Sequence, residues 1–242
     1  KIFLTIFGAI ILFFSYLYIP NIFDQNKISA AIKKDLSNRL NLEFNFEKKI
    51  DYKFLPRPHF IVNESSIKFN ENKISEIKKI KIYVSLNNLF SLKNIRVKDI
   101  IIEEGNFNLN KNNYGFFIDL LNNNLKDIKL QIFNSNIFYR NLQNEVLFIN
   151  NVINAKYIYD LNQSKNILYS KNKIFNLPYL MELFIDKDEK RLVSKINIES
   201  LRLQLENQFS YGEEFNSGLS EFNFLNLKSV AEYKTNKNYF EF

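Results

Sequence analysis

The chain has 242 residues, of which 46% are hydrophobic and 16% aromatic, and a formal net charge of +7. So apolar a composition excludes intrinsic disorder, and the absence of cysteine excludes disulfides, thiolate catalysis and cysteine-based metal sites. The basic residues are dispersed among acidic ones without a recognisable nucleic-acid-binding motif, so the charge does not indicate a nucleic-acid partner.

The first predicted element is an apolar run over residues 2–19 that contains no charged side chain. As a helix rising about 1.5 Å per residue, this run spans roughly 27 Å, close to the hydrocarbon thickness of a bilayer. We predict a transmembrane anchor over residues 1–20, which ends at Pro20. The alternative is a cleavable signal peptide, whose apolar core is usually shorter. Lys1 precedes the run and several basic residues follow it, so the positive-inside rule alone would place the body in the cytoplasm.

Residues 21–41 are predicted to hold an amphipathic helix. Asp24 can cap its N-terminus and Asn41 can end it. Between them, apolar side chains recur at steps of three and four residues, at Ile28, Ala31, Ile32, Leu36 and Leu40. This spacing places them on one face, which must be buried against a sheet or a membrane surface.

From Leu42 onward, apolar residues alternate with polar ones in short segments separated by Asn, Lys and Asp. This pattern predicts an antiparallel meander of roughly a dozen strands over residues 42–242, which we expect to continue beyond Phe242. The alternation changes phase at Lys98-Asp99 and again at Glu104-Gly105. Segments 115–125 and 177–184 are candidates for short helices.

So few helices cannot cover the apolar side of so many strands. Either two sheets close on each other as a sandwich, or the sheet curls into a trough whose apolar lining meets a ligand. The alternation by itself is compatible with both architectures.

Five further segments have a recognisable pattern: the helix end at 37–41, the proline segment 54–62, the Leu-x-x-Leu corner at 86–92, the paired strands of 95–110 with Tyr114-Gly115, and the strand 134–140. They follow a single N-terminal span and an amphipathic helix, in a region of alternating strands. In these segments and in their order, the chain resembles the AsmA family of membrane-anchored proteins of the bacterial envelope, which also share a chorein-like N-terminal region.

The resemblance implies a mainly β protein with its anchor in the inner membrane and its body in the periplasm, against the charge count. It implies a curled, taco-like antiparallel sheet whose apolar groove carries phospholipid toward the outer membrane or supports outer-membrane homeostasis. The implied partners are the inner membrane, phospholipid acyl chains and other envelope or outer-membrane proteins, with no nucleic acid.

Groove candidates are the apolar residues of the alternating segments in the middle of the chain. They are Ile80, Ile82, Val84, Ile100, Ile102, Phe107, Leu109, Leu130 and Ile132. Three isoleucines run together at 100–102, so the sequence leaves open which of them face inward.

No catalytic site, metal site or cofactor is predicted. His59 is the only histidine, and a lone histidine without cysteine or nearby carboxylates cannot build a usual metal site or nucleophilic triad. The acidic pairs Glu103-Glu104 and Glu213-Glu214 are adjacent in sequence, so on a strand their carboxylates point to opposite faces.

Two other functions remain compatible with the sequence. One is a component of a lipopolysaccharide bridge with a single span and a periplasmic β-jellyroll, which would lack the helix at 24–40 and the corner at 86–92. The other is an envelope assembly scaffold whose β face is an ordinary dry core, and co-purified lipid would separate it from a groove.

Overall fold

The computed structural model describes residues 2–69, 72–85, 95–110, 113, 115, 121, 128–186, 191–212, 215–236 and 240–241. The fold is mainly β, preceded by two helices, α1 (Ile2–Tyr18) and α2 (Gln25–Leu40), with a short 3-10 helix (Ile19–Ile22) between them. By its internal contacts the chain divides into two compact units, Lys1–Asn106 and Phe107–Phe242.

Both predicted ends of the amphipathic helix are confirmed. The Asp24 carboxylate accepts a hydrogen bond from the backbone N–H of Lys27 at 3.0 Å, which satisfies one of the unpaired donors of the first turn. Asn41 lies in the left-handed conformation at φ 53°, and its N–H donates to the carbonyl of Ser37 at 2.9 Å. The predicted apolar stripe is the buried face of α2.

In the first unit the strands are antiparallel and centre on β3 (His59–Phe69). β1 (Glu43–Phe46) and β2 (Ile50–Lys53) both pair with β3, at different parts of its length, and β4 (Asn72–Val84) pairs along its other side. β5 (Val97–Leu109) follows β4 in the sheet, and its last residues belong to the second unit.

Helix α2 covers the apolar face of this first sheet. Its residues Ile32 and Leu36 are 0% exposed, and Ile28 borders a small cavity together with Phe60 and Val84 of the sheet. The helix is also fixed at the start of β5, where the N–H of Val97 donates to Asp35 Oδ2 at 3.0 Å and Arg39 Nη1 donates to the carbonyl of Val97 at 2.8 Å. The core of the first unit is therefore a helix-on-sheet interface.

The strands of the second unit pair with one another in chain order. They are β6 (Lys129–Arg140), β7 (Val146–Asp160), β8 (Lys165–Ile174), β9 (Leu177–Asp186), β10 (Arg191–Ile198), β11 (Leu203–Ser210), β12 (Asn216–Phe224), β13 (Leu227–Thr235) and β14 (Phe240–Glu241), all antiparallel to their neighbours.

The predicted helix at 177–184 is wrong, because this segment is β9. Nearly every residue of the segment is apolar, so its periodicity does not separate a strand from a helix, and pairing with β8 and β10 decides the conformation. Of the other candidate helix, the structure describes only Gly115 and Leu121, both helical. The predicted corner at 86–92 lies outside the described residues.

The predicted change of phase in β5 has a backbone cause. Glu104 adopts a left-handed conformation at φ 56° in the middle of the strand. The next buried residue after Ile102 is therefore Gly105, and residue 104 is exposed. Glu64 in β3 and Asn134 in β6 adopt the same conformation at φ 55° and 47°. These irregularities keep the apolar side chains on one face although the sequence pattern slips.

Candidate functional site

The second unit carries a broad apolar face, which follows from the register of its strands. Residues opposite each other in antiparallel strands share a face, as do alternate residues along one strand. Met181, Ile196, Leu205 and Phe222 therefore form one row across β9–β12. We define the apolar face as the face that also carries Leu130, Ile132, Leu168, Leu183, Ile185, Leu192, Ile198, Leu203, Phe209, Phe224, Leu227 and Tyr233.

Water reaches most of this apolar face. Met181, Ile196 and Leu205 are only half-buried, while Phe222 is 41% and Leu227 72% exposed. At β8 the face is more enclosed, since Asn166 Nδ2 donates to the carbonyl of Leu121 at 3.0 Å and both residues are buried. From β9 to β13 the described side chains thus form a contiguous, accessible apolar surface.

A row of small polar residues crosses the apolar face between β10 and β12. Ser220 Oγ donates to Asn207 Oδ1 at 2.8 Å, and the Tyr233 hydroxyl donates to the same oxygen at 2.9 Å. Ser194 lies beside Asn207 in the register. These groups satisfy one another, which lowers the cost of covering them with hydrocarbon.

Nearer to β6, the polar groups of the apolar face are buried and uncharged. The hydroxyl of Tyr179 donates to Asn150 Oδ1 at 3.0 Å, and Asn172 Nδ2 donates to Ser170 Oγ at 2.7 Å. Burial, with a smaller contribution from Tyr139, raises the pKa of Tyr179 to about 12, so its hydroxyl stays protonated at neutral pH.

The opposite face of β10–β12 is mostly polar and carries ion pairs, while at β8–β10 the same face holds a buried apolar cluster of Ile167, Phe184 and Val193. Lys195 Nζ lies 3.2 Å from Glu206 Oε2, and Lys228 Nζ lies 3.0 Å from Glu221 Oε2. Lys195 and Glu221 directly precede a residue of the apolar row in the sequence, and Glu206 directly follows one. The two faces of β10–β12 therefore differ in polarity from one residue to the next, which provides matched positions for experiments.

The predicted groove residues of the first unit lie in its covered core. Ile80, Ile82, Ile100 and Ile102 are 0–2% exposed, and Val84 is 8% exposed. The register places Ile80 and Ile82 opposite Val62 and Phe60, on the face covered by α2.

The structure decides which of the three isoleucines at 100–102 face inward. Glu103 of β5 reaches Lys79 and Lys81, which alternate in β4 with Ile80 and Ile82. Ile100 and Ile102 therefore share the inward face, and Ile101 is turned away from it.

Three of the four predicted groove residues of the second unit are more accessible, and Phe107 is buried. Phe107 is 8% exposed and Leu109 is half-buried, while Leu130 and Ile132 lie on the apolar face and are half-buried. Contact of any of these residues with lipid stays a prediction.

Sequence reasoning missed most of the apolar face. The alternation at Ile196 and Ile198, and at Leu203 and Leu205, was a visible strand signal, but nothing in it separates an accessible face from a packed one.

The described titratable groups that were considered for catalysis make structural contacts. His59 is buried, its Nδ1 lies 2.7 Å from the carbonyl of Arg57, and its ring stacks on Tyr83 at 4.9 Å. Glu104 pairs with Lys78 at 2.6 Å. Among the residues that the structure describes, no group of three acidic, histidine or cysteine side chains is placed to hold a metal ion. The pair at 213–214 lies outside them.

The N-terminal segment is long and apolar enough, over Thr5–Ile22, to cross a bilayer, which is consistent with a single-pass membrane anchor. A search of curated proteins gave no match. The profile of the AsmA family matches residues 1–172, which include both helices and the strands through most of β8. An N-terminal span followed by antiparallel strands is the arrangement that the family resemblance implied, and the chain belongs to the AsmA family.

Proposed function

We propose that this protein is anchored in the inner membrane by α1 and carries phospholipid acyl chains on the apolar face of its second unit. The observation that carries the proposal is the accessible row Met181, Ile196, Leu205 and Phe222, which continues from strand to strand. Membership of the AsmA family supports an envelope location, and we propose that the body lies in the periplasm.

The chemistry of the apolar face fits an acyl chain. Monomeric proteins in water rarely expose a large contiguous apolar surface unless it binds something. Transfer of an acyl chain onto such a surface is favourable by about 0.8 kcal/mol for each CH₂ removed from water. The polar row at Asn207 donates and accepts within itself, so it leaves few unsatisfied groups against hydrocarbon. A diacyl lipid can then lie along the strands while its headgroup stays hydrated.

A cross-linking experiment tests this function on the full chain reconstituted in vesicles. The vesicles contain phospholipid with a photoreactive group on the acyl chain, and cross-linked peptides are mapped by mass spectrometry. We expect cross-links in α1, which act as an internal positive control, and in peptides from β9–β12. In the triple variant Ile196→Asn, Leu205→Asn, Phe222→Asn, cross-linking of β9–β12 should fall several-fold, while cross-linking of α1 should stay at the wild-type level.

The matched control is Lys195→Asn, Glu206→Asn, Glu221→Asn, which places the same residue on the same strands but on the opposite face. We expect wild-type cross-linking of β9–β12 in this control. Cross-links confined to α1 in the wild type would contradict lipid carriage and favour the non-transporting scaffold. Equal losses in both triple variants would show that general destabilisation, and not the apolar face, controls the signal.

Among the residues that the structure describes, the geometry gives no support to catalysis, and we propose that the protein acts without a cofactor. Several acidic and basic side chains of the first unit form ion pairs on the strands, as Glu103 does with Lys81.

A further inference from the structure

The last turn of the membrane helix is attached to the folded body. The hydroxyl of Tyr52, in β2, donates to the carbonyl of Leu17 at 2.8 Å. This carbonyl is among the last four of α1, which have no partner within a helix. Leu17 is 5% exposed, and the Tyr52 ring packs on Phe60 of the sheet core with 5.1 Å between ring centroids. The end of α1 is therefore part of the first unit.

A second contact lies deeper along α1. The rings of Phe14 and Phe54 meet edge to face with 6.3 Å between their centroids. Phe14 precedes Tyr18, the last residue of α1, by four residues, or about 6 Å of helix rise. It also lies well inside the Thr5–Ile22 segment that can cross a bilayer. Phe54 must therefore sit at the depth of the final turns of the spanning helix.

The loop that follows Phe54 has the composition of an interfacial segment. Leu55 is 65% exposed, and Ile22, at the end of the 3-10 helix, is 76% exposed. Basic side chains flank the loop at Lys53 and Arg57, both exposed. Long basic side chains and aromatic rings favour the boundary between hydrocarbon and headgroups, where water can still satisfy irregular backbone.

We propose that the loop at residues 54–56 inserts into the interfacial layer of the bilayer that α1 crosses, as a second membrane contact of the first unit. The occupant of this apolar surface is the lipid bilayer, because the loop is in direct contact with a helix whose own surroundings are lipid. Arg57 is held beside the loop by Asp99, 3.0 Å away, and by the ring of Tyr83. Attachment at both α1 and the loop fixes the orientation of the first unit on the membrane. This proposal rests on the membrane anchor of the proposed function, but not on lipid carriage by the apolar face.

Fluorescence can test the insertion directly, because the sequence contains no tryptophan. Leu55→Trp introduces one probe into the full chain, which is reconstituted in vesicles of phosphatidylethanolamine and phosphatidylglycerol. Parallel samples contain phospholipid brominated near the carbonyl end or near the tail of the acyl chain. We expect blue-shifted emission and several-fold quenching, strongest with bromine near the carbonyl end.

Leu142→Trp is the matched control, since Leu142 is a leucine of similar exposure, 69%, in the turn between β6 and β7. Its emission should stay at long wavelength and be quenched little. Equal emission and quenching of the two probes would overturn the proposal, as would quenching of Leu55→Trp only by bromine near the tail.

The absence of cysteine allows a second measurement on the same position. Leu55→Cys in vesicles should react several-fold more slowly with a charged maleimide than Leu142→Cys, and detergent should remove the difference. Equal rates in vesicles would contradict insertion.

Discussion

Both units have a sheet with an apolar face, but this face is covered by a helix in the first unit and accessible to water in the second. In the first unit, α2 lies over the face, and Ile32, Ile80 and Ile100 are 0% exposed. In the second unit, Ile196 and Leu205 are half-buried and Phe222 is 41% exposed. Alternation of apolar and polar residues therefore specifies a two-sided strand, but not what its apolar side contacts.

Because the apolar face is covered in one unit and accessible in the other, the two units are stabilised by different interactions. Closely packed side chains and a docked helix dominate the first unit, so truncation or added polarity there should be costly. Strand pairing contributes relatively more to the second unit, where most of the apolar face is accessible to water. An accessible face can take up a ligand without opening a packed core, which suits a binding surface.

The largest effect is expected for Ile32→Asp, which would bury a charge between α2 and the sheet. We expect the free energy of unfolding of the first unit to fall by on the order of 3 kcal/mol or more. Chemical denaturation of the detergent-solubilised chain measures it. Ala30→Asp, on the exposed side of the same helix, is the control and should change stability little. An unchanged midpoint for Ile32→Asp would mean that this helix face rests on lipid instead.

A matched pair of substitutions compares the covered and accessible faces directly. Ile102→Asn, at 2% exposure, should bury an unsatisfied amide and cost on the order of 3 kcal/mol. Ile196→Asn places the same amide where water reaches it, so we expect a cost of about 1 kcal/mol or less. Thermal unfolding followed by circular dichroism measures both. Equal costs would show that the apolar face of the second unit is packed as tightly as the core of the first.

The smallest effect is expected at the ion pairs. Glu103 lies 2.5 Å from Lys81 Nζ and 3.5 Å from Lys79 Nζ. Burial alone would raise the pKa of Glu103, but the two ammonium groups outweigh it and hold the pKa below its ordinary value of 4.5. A carboxylate whose pKa falls on folding stabilises the protein above its unfolded pKa, and this contribution disappears as the pH falls through the folded pKa.

Glu103→Gln should therefore lower the free energy of unfolding by about 1 kcal/mol or less at pH 7. The difference from wild type should narrow as the pH falls through the lowered folded-state pKa of Glu103. Urea denaturation at pH 7 and at pH 3.5 is the measurement. Glu206→Gln is the counterpart in the second unit and should have a smaller effect, because its pair with Lys195 is longer, at 3.2 Å, and more exposed. A difference for Glu103→Gln that does not depend on pH would show that the ion pair is not its cause.

Local features were predictable because their causes are local. The cap at Asp24, the stop at Asn41 and the apolar stripe of α2 depend on residues within a few positions of one another. The alternation of apolar and polar residues also predicts the phase change at Glu104, but it does not predict the left-handed backbone conformation of that residue. By contrast, Leu177 to Asp186 became a strand only through pairing with β8 and β10, which neighbouring residues do not reveal.

The sequence by itself determined the apolar N-terminal helix, the bounds and buried side of α2, and the alternating strands, since each depends on spacing along the chain. Tertiary structure decided which strands α2 covers, and therefore which predicted groove residues are packed and which are accessible. That outcome depends on contacts between residues far apart in sequence, such as Asp35 with Val97, and on one helix being too short to cover every strand. It likewise decided that Phe54 lies beside Phe14, since only the folded first unit brings β2 to the end of the membrane helix.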